Sequence, residues 1–216
     1  LNGLAAGRPN RTRIVLRNNS NDPEAGLIQF RDGAGSPASV PVSGSVTDAV
    51  AFNLAPWGTS EVETEGTGAL LTGTIDVFCG RGTASAVEGT EVFEVLDHFV
   101  SVQSARARPT NQVYVSVSAE ENTGVALYNP DKENSVSVNA VLVDSSGIEQ
   151  AARLLEIEPG RQQLSFVDEA DLFSDYFTAN SESFAGTLNL IVEGDGSVSV
   201  LGLLQKRQTG ALIAVT

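Results

Sequence analysis

His98 and the aspartate that precedes it come nearest to a catalytic pair in this chain. A histidine can activate a serine as general base when a carboxylate orients its ring. Adjacent residues of a strand point to opposite faces, however, so Asp97 is poorly placed to orient His98. The chain also has no Gly-x-Ser-x-Gly sequence, which would mark a nucleophile elbow. We therefore expect no catalytic residue and no enzyme, and a hydrolase is the least favoured alternative.

An acidic cluster between residues 168 and 175 could bind calcium. Its carboxylates belong to Asp168, Glu169, Asp171 and Asp175. Their spacing does not match an EF-hand loop, and acidic residues are also typical of the first turn of a helix. We interpret the segment Asp168–Phe177 as a short helix, and we expect no metal and no cofactor.

Trp57 and Cys79 are the other residues whose side chains could bind a ligand or react. Trp57 follows a proline in a predicted turn, where an exposed indole could stack on a sugar, so a carbohydrate-binding module remains an alternative. Cys79 is the only cysteine, which excludes an intrachain disulfide and a thiolate metal cage. Because Val77-Phe78-Cys79 is typical of a strand interior, we expect the thiol to act as a small apolar side chain.

The composition limits the partners and the location of the protein. Thirteen basic and 27 acidic residues give a net charge of −14, which disfavours nucleic acid as a partner. No apolar run approaches the roughly 20 residues of a membrane span. The chain contains no methionine, so Leu1 is not a translational start. We expect an exported protein whose leader was removed, located outside the cell or at its surface.

Short alternating stretches predict an all-β fold. Val136–Val143 and Ser197–Leu201 alternate with period two, as strands with one buried face do. Turn sequences such as Asp32-Gly33 separate stretches of this kind. The pattern predicts antiparallel β-sandwiches with one short helix.

Several motifs occur twice in the same order. Thr12–Asn19 returns as Thr123–Pro130, 111 residues later. The later pairs lie at slightly different offsets and are Phe30–Gly35 with Leu142–Gly147, Pro56–Gly58 with Pro159–Gly160, and Gly73–Val77 with Gly186–Leu190. The order predicts an internal duplication into two immunoglobulin-like modules, residues 1–109 and 110–216, with the boundary near Pro109.

The opening strands of the two predicted modules differ. Val113–Val117 is a strong strand former, whereas the equivalent segment Leu1–Gly7 is rich in glycine and alanine. A segment that fits its own module poorly is suited to donation to a neighbouring subunit. The predicted inter-subunit strand consists of Leu1, Asn2, Gly3, Leu4, Ala5, Ala6 and Gly7.

The second half of the chain resembles bacterial exported and cell-surface proteins built of tandem immunoglobulin-like or fibronectin-like modules. The motifs that carry the resemblance are Thr123–Pro130, Asp144–Gly147, Ile157–Gly160, Leu172-Phe173 and Phe184–Leu188. The resemblance implies an extracellular building block and no catalytic residue. We therefore expect a structural protein that associates with itself, as the repeating subunit of a surface filament, or an adhesive module that meets surface glycans or other surface proteins.

Overall fold

The computed structural model is an all-β protein with one short helix. It describes residues 3–5, 8–80, 86–95, 98–180 and 183–215, and of residues 4, 5, 8 and 95 it describes the backbone alone. The chain divides into a first unit, Leu1–Ser104, and a second unit, Ala105–Thr216. The sequence placed this junction near Pro109, within the strand-free segment between Gln103 and Thr110.

The first unit consists of antiparallel sheets in a sandwich-like arrangement. Its strands are β1 (Gly3–Ala5), β2 (Arg8–Asn18), β3 (Glu24–Asp32), β4 (Val40–Val42), β5 (Ser45–Thr47), β6 (Ala49–Leu54), β7 (Thr59–Glu63), β8 (Gly73–Cys79), β9 (Val87–Val95) and β10 (His98–Gln103). One sheet has the order β1-β2-β9-β10, with β7 also paired to β2. A second sheet has the order β6-β3-β8, and β4 and β5 form a separate hairpin.

The core of the first unit lies between these two sheets. Alternate residues of β2 and β3 supply Ile14, Leu16, Ile28 and Phe30, all of them buried. The hairpin and β6 complete the cluster with Val40, Val42, Phe52 and Leu54. Burial on every second residue is what strands with one face in a core require.

The second unit has two four-stranded antiparallel sheets. Its strands are β11 (Thr110–Val117), β12 (Glu121–Tyr128), β13 (Val136–Asp144), β14 (Glu149–Ile157), β15 (Gln162–Phe166), β16 (Phe184–Val192), β17 (Ser199–Lys206) and β18 (Leu212–Val215). The sheet orders are β11-β16-β13-β14 and β15-β12-β17-β18. The predicted strand Val136–Val143 lies within β13, and its residues 136, 138, 140 and 142 are buried.

The helix α1 is shorter than predicted and begins later, because it spans Ser174–Ala179 rather than Asp168–Phe177. The residues before it form turns, and Leu172 and Phe173 are buried in the core from these turns. Nη1 of Arg153 donates to the carbonyl oxygen of Leu172 at 2.8 Å, which fixes the turn outside a helix. Among the described residues, no helix is long and apolar enough to cross a membrane.

Candidate functional site

Three residues of the predicted inter-subunit strand form a strand within their own chain. Gly3–Ala5 pairs with Arg8–Asn10, the first residues of β2. Gly3 has a φ of 116°, and a Cβ at this position would lie 2.1 Å from the carbonyl oxygen of Ala69. Only glycine can take this position without displacing its neighbour. The remaining residues of the segment, Leu1, Asn2, Ala6 and Gly7, lie outside the described residues, so its donation to a neighbour stays a prediction.

Strand β8 has an open edge in the described part of the first unit. It ends the sheet β6-β3-β8 and pairs with β3 from Asp32↔Gly73 to Gly26↔Cys79. No described strand pairs with its other edge. The strand contains neither proline nor lysine, which commonly protect an edge from pairing with another chain.

The core-facing side chains of β8 are incompletely covered. Val77 lies opposite Ile28, which is fully buried, yet Val77 itself is 37% exposed. Ile75 lies opposite the buried Phe30 and is half-buried. On the other face of β8, Phe78 and its neighbour Leu27 are both exposed. The edge therefore presents apolar side chains beside a strand edge that no described strand covers.

A small cavity adjoins this edge between the two sheets. Its volume is about 40 Å³, and its lining includes Phe30, Gly73, Thr74, Ile75, Glu91 and Phe93. A cavity of this size holds at most a few water molecules, so it is too small for a sugar ring. The hydroxyl of Thr74 is buried there without a hydrogen-bond partner among the described residues.

Glu91 brings a carboxylate to this cavity. It is the Cα partner of Ile14 in the pairing of β9 with β2, so it shares the core-facing side of the sheet with this buried residue. Burial raises the pKa of the Glu91 carboxyl above its ordinary value. Burial is the larger influence on this pKa, and the positive charge of the N-terminus acts in the opposite direction.

In the second unit, the strand β16 has a partner on both edges. It pairs with β13 on one edge and with β11 along its other edge, from Thr110↔Ile191 to Val117↔Phe184. Leu188 and Leu190 of β16 are fully buried. The order β11-β16-β13-β14 thus contains one strand more than the order β8-β3-β6.

The residues weighed as candidates for catalysis and metal binding do not form a reactive group in the described structure. His98 is exposed at the start of β10 and forms no hydrogen bond with a described serine or carboxylate, and Asp97 lies outside the described residues. The carboxylate of Asp168 accepts from Asn122 at 2.6 Å and from Arg207 at 2.7 Å. No group of three potential metal ligands occurs among the residues that the structure describes.

Trp57 and Cys79 lie at different places in the first unit. Trp57 is 56% exposed, and its Nε1 donates to Oδ1 of Asn21 at 2.9 Å. Other exposed aromatic side chains, Phe78 and Phe99, belong to β8 and β10, which are separate from the turn that contains Trp57. Cys79 is a half-buried free thiol at the end of β8.

Sequence reasoning missed Glu91 and the open edge of β8. The signal for Glu91 was present, because a single acidic residue interrupts the alternating row Val87, Gly89, Glu91 and Phe93. The open edge carries no such signal, since it depends on which strands pair across distant parts of the chain. A comparison with protein-family models, curated proteins and solved structures found no match to this chain.

Proposed function

We propose that this protein is a non-enzymatic, extracellular structural protein, the repeating subunit of a surface filament. The open edge of β8 is the observation that carries the proposal. An apolar strand edge invites pairing with another chain, and natural proteins cover or protect such edges. A contact between an edge on one copy and a separate segment of the next copy builds a fibre when the rotation between copies does not close into a ring.

The proposed subunit is an internal duplication of one immunoglobulin-like module. The strand orders support this, because β8-β3-β6 parallels β16-β13-β14 and β7-β2-β9-β10 parallels β15-β12-β17-β18. One strand of the second unit differs, because β11 pairs with β16 and no described strand pairs with β8 at the equivalent position.

Matching hydrogen bonds at equivalent positions also support a duplication. Asn18 and Asn129 are both fully buried. The side chain of Asn18 donates to the carbonyl groups of Asp22 and Ala55. The side chain of Asn129 donates to those of Asn134 and Ile157. Asp32 and Asp144 each accept from the backbone N–H groups two and four residues later. Unrelated turns would not be expected to share these details at corresponding strand ends.

The composition is compatible with an exported subunit. The net charge of −14 keeps single subunits soluble before assembly and repels nucleic acid. In this proposal the subunit needs no cofactor. The partners are other copies of the chain, and the assembled filament would contact glycans or other surface proteins.

A carbohydrate-binding module is the second candidate function. The exposed indole of Trp57 favours it, because flat aromatic side chains stack on sugar rings. The filament is better supported, because Trp57 lies in a turn and the other exposed aromatic residues of its unit lie in strands. The edge of β8, by contrast, has no described strand partner and exposes apolar side chains.

Electron microscopy of the protein from its native source tests the proposal. We expect filaments with a regular repeat along their axis. Monomers or closed rings at the same concentration would overturn the filament. Glycan-array binding that is lost in Trp57→Ala, without any polymer, would favour the carbohydrate-binding alternative.

A further inference from the structure

We propose that the second unit pairs face to face with the second unit of another copy, through the outward surface of the sheet β15-β12-β17-β18. This surface, the apolar face, consists of Gly124, Ala126, Leu164, Phe166, Leu201 and Leu203. The inference goes beyond the proposed filament, because it concerns a sheet face of the second unit and not a strand edge of the first.

The pleat of β12 directs the apolar face away from the core. Val125 and Leu127 are buried, so the alternate residues Gly124 and Ala126 point outward. Paired residues share a side of a sheet, and their Cα partners on the two neighbouring strands are Phe166, Leu203, Leu164 and Leu201. Leu164 is 49% exposed, and the other members of the face are half-buried.

The corresponding face of the first unit is charged. Arg13 of β2 stands 111 residues before Gly124, and its Cα partner is Glu63, where Gly124 has Phe166. The guanidinium of Arg13 contacts the carboxylates of Glu61 and Glu63 at 3.2 and 3.3 Å. The first unit therefore presents ion pairs to water at positions where the second presents apolar side chains.

Large and small residues alternate across the apolar face. One row across the four strands has the order Phe166, Gly124, Leu203 and Ala214. The next row has the same order of sizes, with Leu164, Ala126 and Leu201. The ring of Phe166 leans over Gly124, since a Cβ there would lie 3.3 Å from its Cε1.

This alternation makes the face complementary to itself. A two-fold axis parallel to the strands, between β12 and β17, reverses the order of strands in the second copy. Leu201 of each copy then lies over Ala126 of the other, and Leu203 lies over the ring that covers Gly124. Packed sheets stand about 10 Å apart, which leaves room for one interdigitated layer of such side chains. The contact is isologous and closes at two copies.

The charge of the chain favours contact between copies through this face. Two copies with a net charge of −14 repel each other, and the apolar face brings no carboxylate into the contact. The nearest ion pair, between Asp168 and Arg207, lies at its end, beside Asn122. The outward face of the other sheet carries amide groups, such as Gln112 and Asn189, whose removal from water has a cost.

The area of the face predicts a weak dimer. Four strands about 4.8 Å apart, each with about seven residues rising about 3.4 Å, give a footprint of about 500 Å² on each copy. Pairing would bury about 1,000 Å² in total, which is near the lower limit for a specific interface. We therefore expect dimers that form as the protein concentration rises.

Sedimentation equilibrium of the full chain tests the face with two matched variants. Leu164→Glu places a charge on the apolar face, and Leu154→Glu places one on the outward face of the other sheet, where Leu154 is 60% exposed. We expect Leu164→Glu to raise the dissociation constant of the dimer at least about tenfold, and Leu154→Glu to leave it nearly unchanged. Circular dichroism checks that both variants are folded. Equal association of both variants, or a wild-type chain that stays monomeric at millimolar concentration, would overturn the proposal.

A charge exchange between two chains tests the two-fold register. Ala126→Lys and Leu201→Glu each place an unpaired charge in the contact, so neither variant should dimerise by itself. In a mixture, Lys at position 126 of one chain would meet Glu at position 201 of the other, and we expect dimers of the two variants. A mixture that remains monomeric while the wild-type chain dimerises would overturn this register.

Electron microscopy separates the apolar face from the filament. Where filaments form, we expect wild-type and Leu154→Glu filaments to associate side by side and Leu164→Glu filaments to remain single. Single filaments in all three would overturn the face and leave the filament standing, whereas dimers without filaments would do the reverse. Binding to phosphatidylcholine vesicles that Leu164→Glu abolishes, without any dimer, would assign the face to lipid and overturn the pairing of copies.

Discussion

Trp57 and Gly160 take the same left-handed backbone conformation in corresponding turns of the two units. Their φ angles are 58° and 66°, and each residue directly follows a proline. The N–H of Trp57 donates to the carbonyl of Ser20 at 3.1 Å, and that of Gly160 donates to Asp131 at 2.7 Å. The first unit thus places a bulky residue where the second unit has the residue that this conformation favours.

The left-handed turn predicts an unusual order of stability for two variants of Trp57. Both Trp57→Gly and Trp57→Ala remove the indole, but only glycine takes a positive φ without strain. We expect Trp57→Gly to exceed Trp57→Ala in free energy of unfolding by about 1 kcal/mol. Denaturant unfolding followed by circular dichroism measures the difference. An alanine variant of equal or greater stability would contradict the strained conformation.

The buried Asn129 should contribute strongly to the stability of the second unit. Its Nδ2 donates to the carbonyls of Asn134 and Ile157 at 2.9 and 3.1 Å, and its Oδ1 accepts from the N–H of Asp131 at 3.0 Å. Asn129→Ala would leave these groups without partners, so we expect a loss of about 2–3 kcal/mol.

Tyrosine fluorescence is a suitable measurement for Asn129→Ala, because all three tyrosines belong to the second unit. Asn189→Ala is the control. It removes a single surface hydrogen bond with Gln112, and its effect should stay within about 0.5 kcal/mol. A similar small loss in both variants would show that the buried asparagine is not a structural anchor.

Glu91 should make the stability of the first unit depend on pH. Since its pKa is raised in the folded state, both states are protonated well below the ordinary value of 4.5. As the pH rises above 4.5, the unfolded chain ionises first, and stability is lost until the pH has passed the raised pKa of the folded state. Glu91→Gln should therefore stabilise the isolated subunit at neutral pH by about 1 kcal/mol and have little effect below pH 4.5.

Fluorescence of the single tryptophan, Trp57, reports unfolding of the first unit alone and gives the measurement for Glu91→Gln. Glu88→Gln, on the opposite face of β9, is the control and should lack this difference between pH values. Equal effects of the two variants at neutral pH would contradict the desolvation of the Glu91 carboxyl in the folded state.

Deleting Leu1–Gly7 should convert polymer into soluble monomer, because the deletion removes the proposed donor. A finer test compares two substitutions within the segment. Leu4→Asp would place a charge at the position equivalent to the fully buried Val115 and should abolish assembly. Ala5→Asp changes the opposite face of the same strand from Leu4, so most of the assembly should remain. Size-exclusion chromatography with light scattering would measure the outcome, and normal assembly of the truncated chain would exclude this donor.

The sequence predicted the all-β class well because strands with one buried face leave a local pattern. In β13 the alternation of Val136, Val138, Ala140 and Leu142 with polar residues is visible in the letters alone. The start of α1 was harder to predict. Leu172 and Phe173 have helical spacing with Tyr176 and Phe177, but their burial comes from turns that Arg153, in a distant strand, holds in place.

The site depends on long-range pairing that no local pattern records. Gly73–Cys79 has the character of a strand interior, and nothing in its composition distinguishes an edge from a central position. Only the order of strands in the sheet shows that β8 has one described neighbour and β16 has two. The sequence could reveal one part of this difference between the units, namely that Leu1–Gly7 has a low propensity to form a strand.

The position of Cys79 gives the protein a natural reporter of assembly. The only thiol of the chain stands at the end of β8 and is half-buried, whereas the equivalent Val192 is 7% exposed beside a completed sheet. A strand that covers the edge would shield this sulfur, so its rate of alkylation would fall as subunits join. A simple thiol reagent, applied to unmodified protein during polymerisation, would thus follow in time the occupation of one defined strand edge.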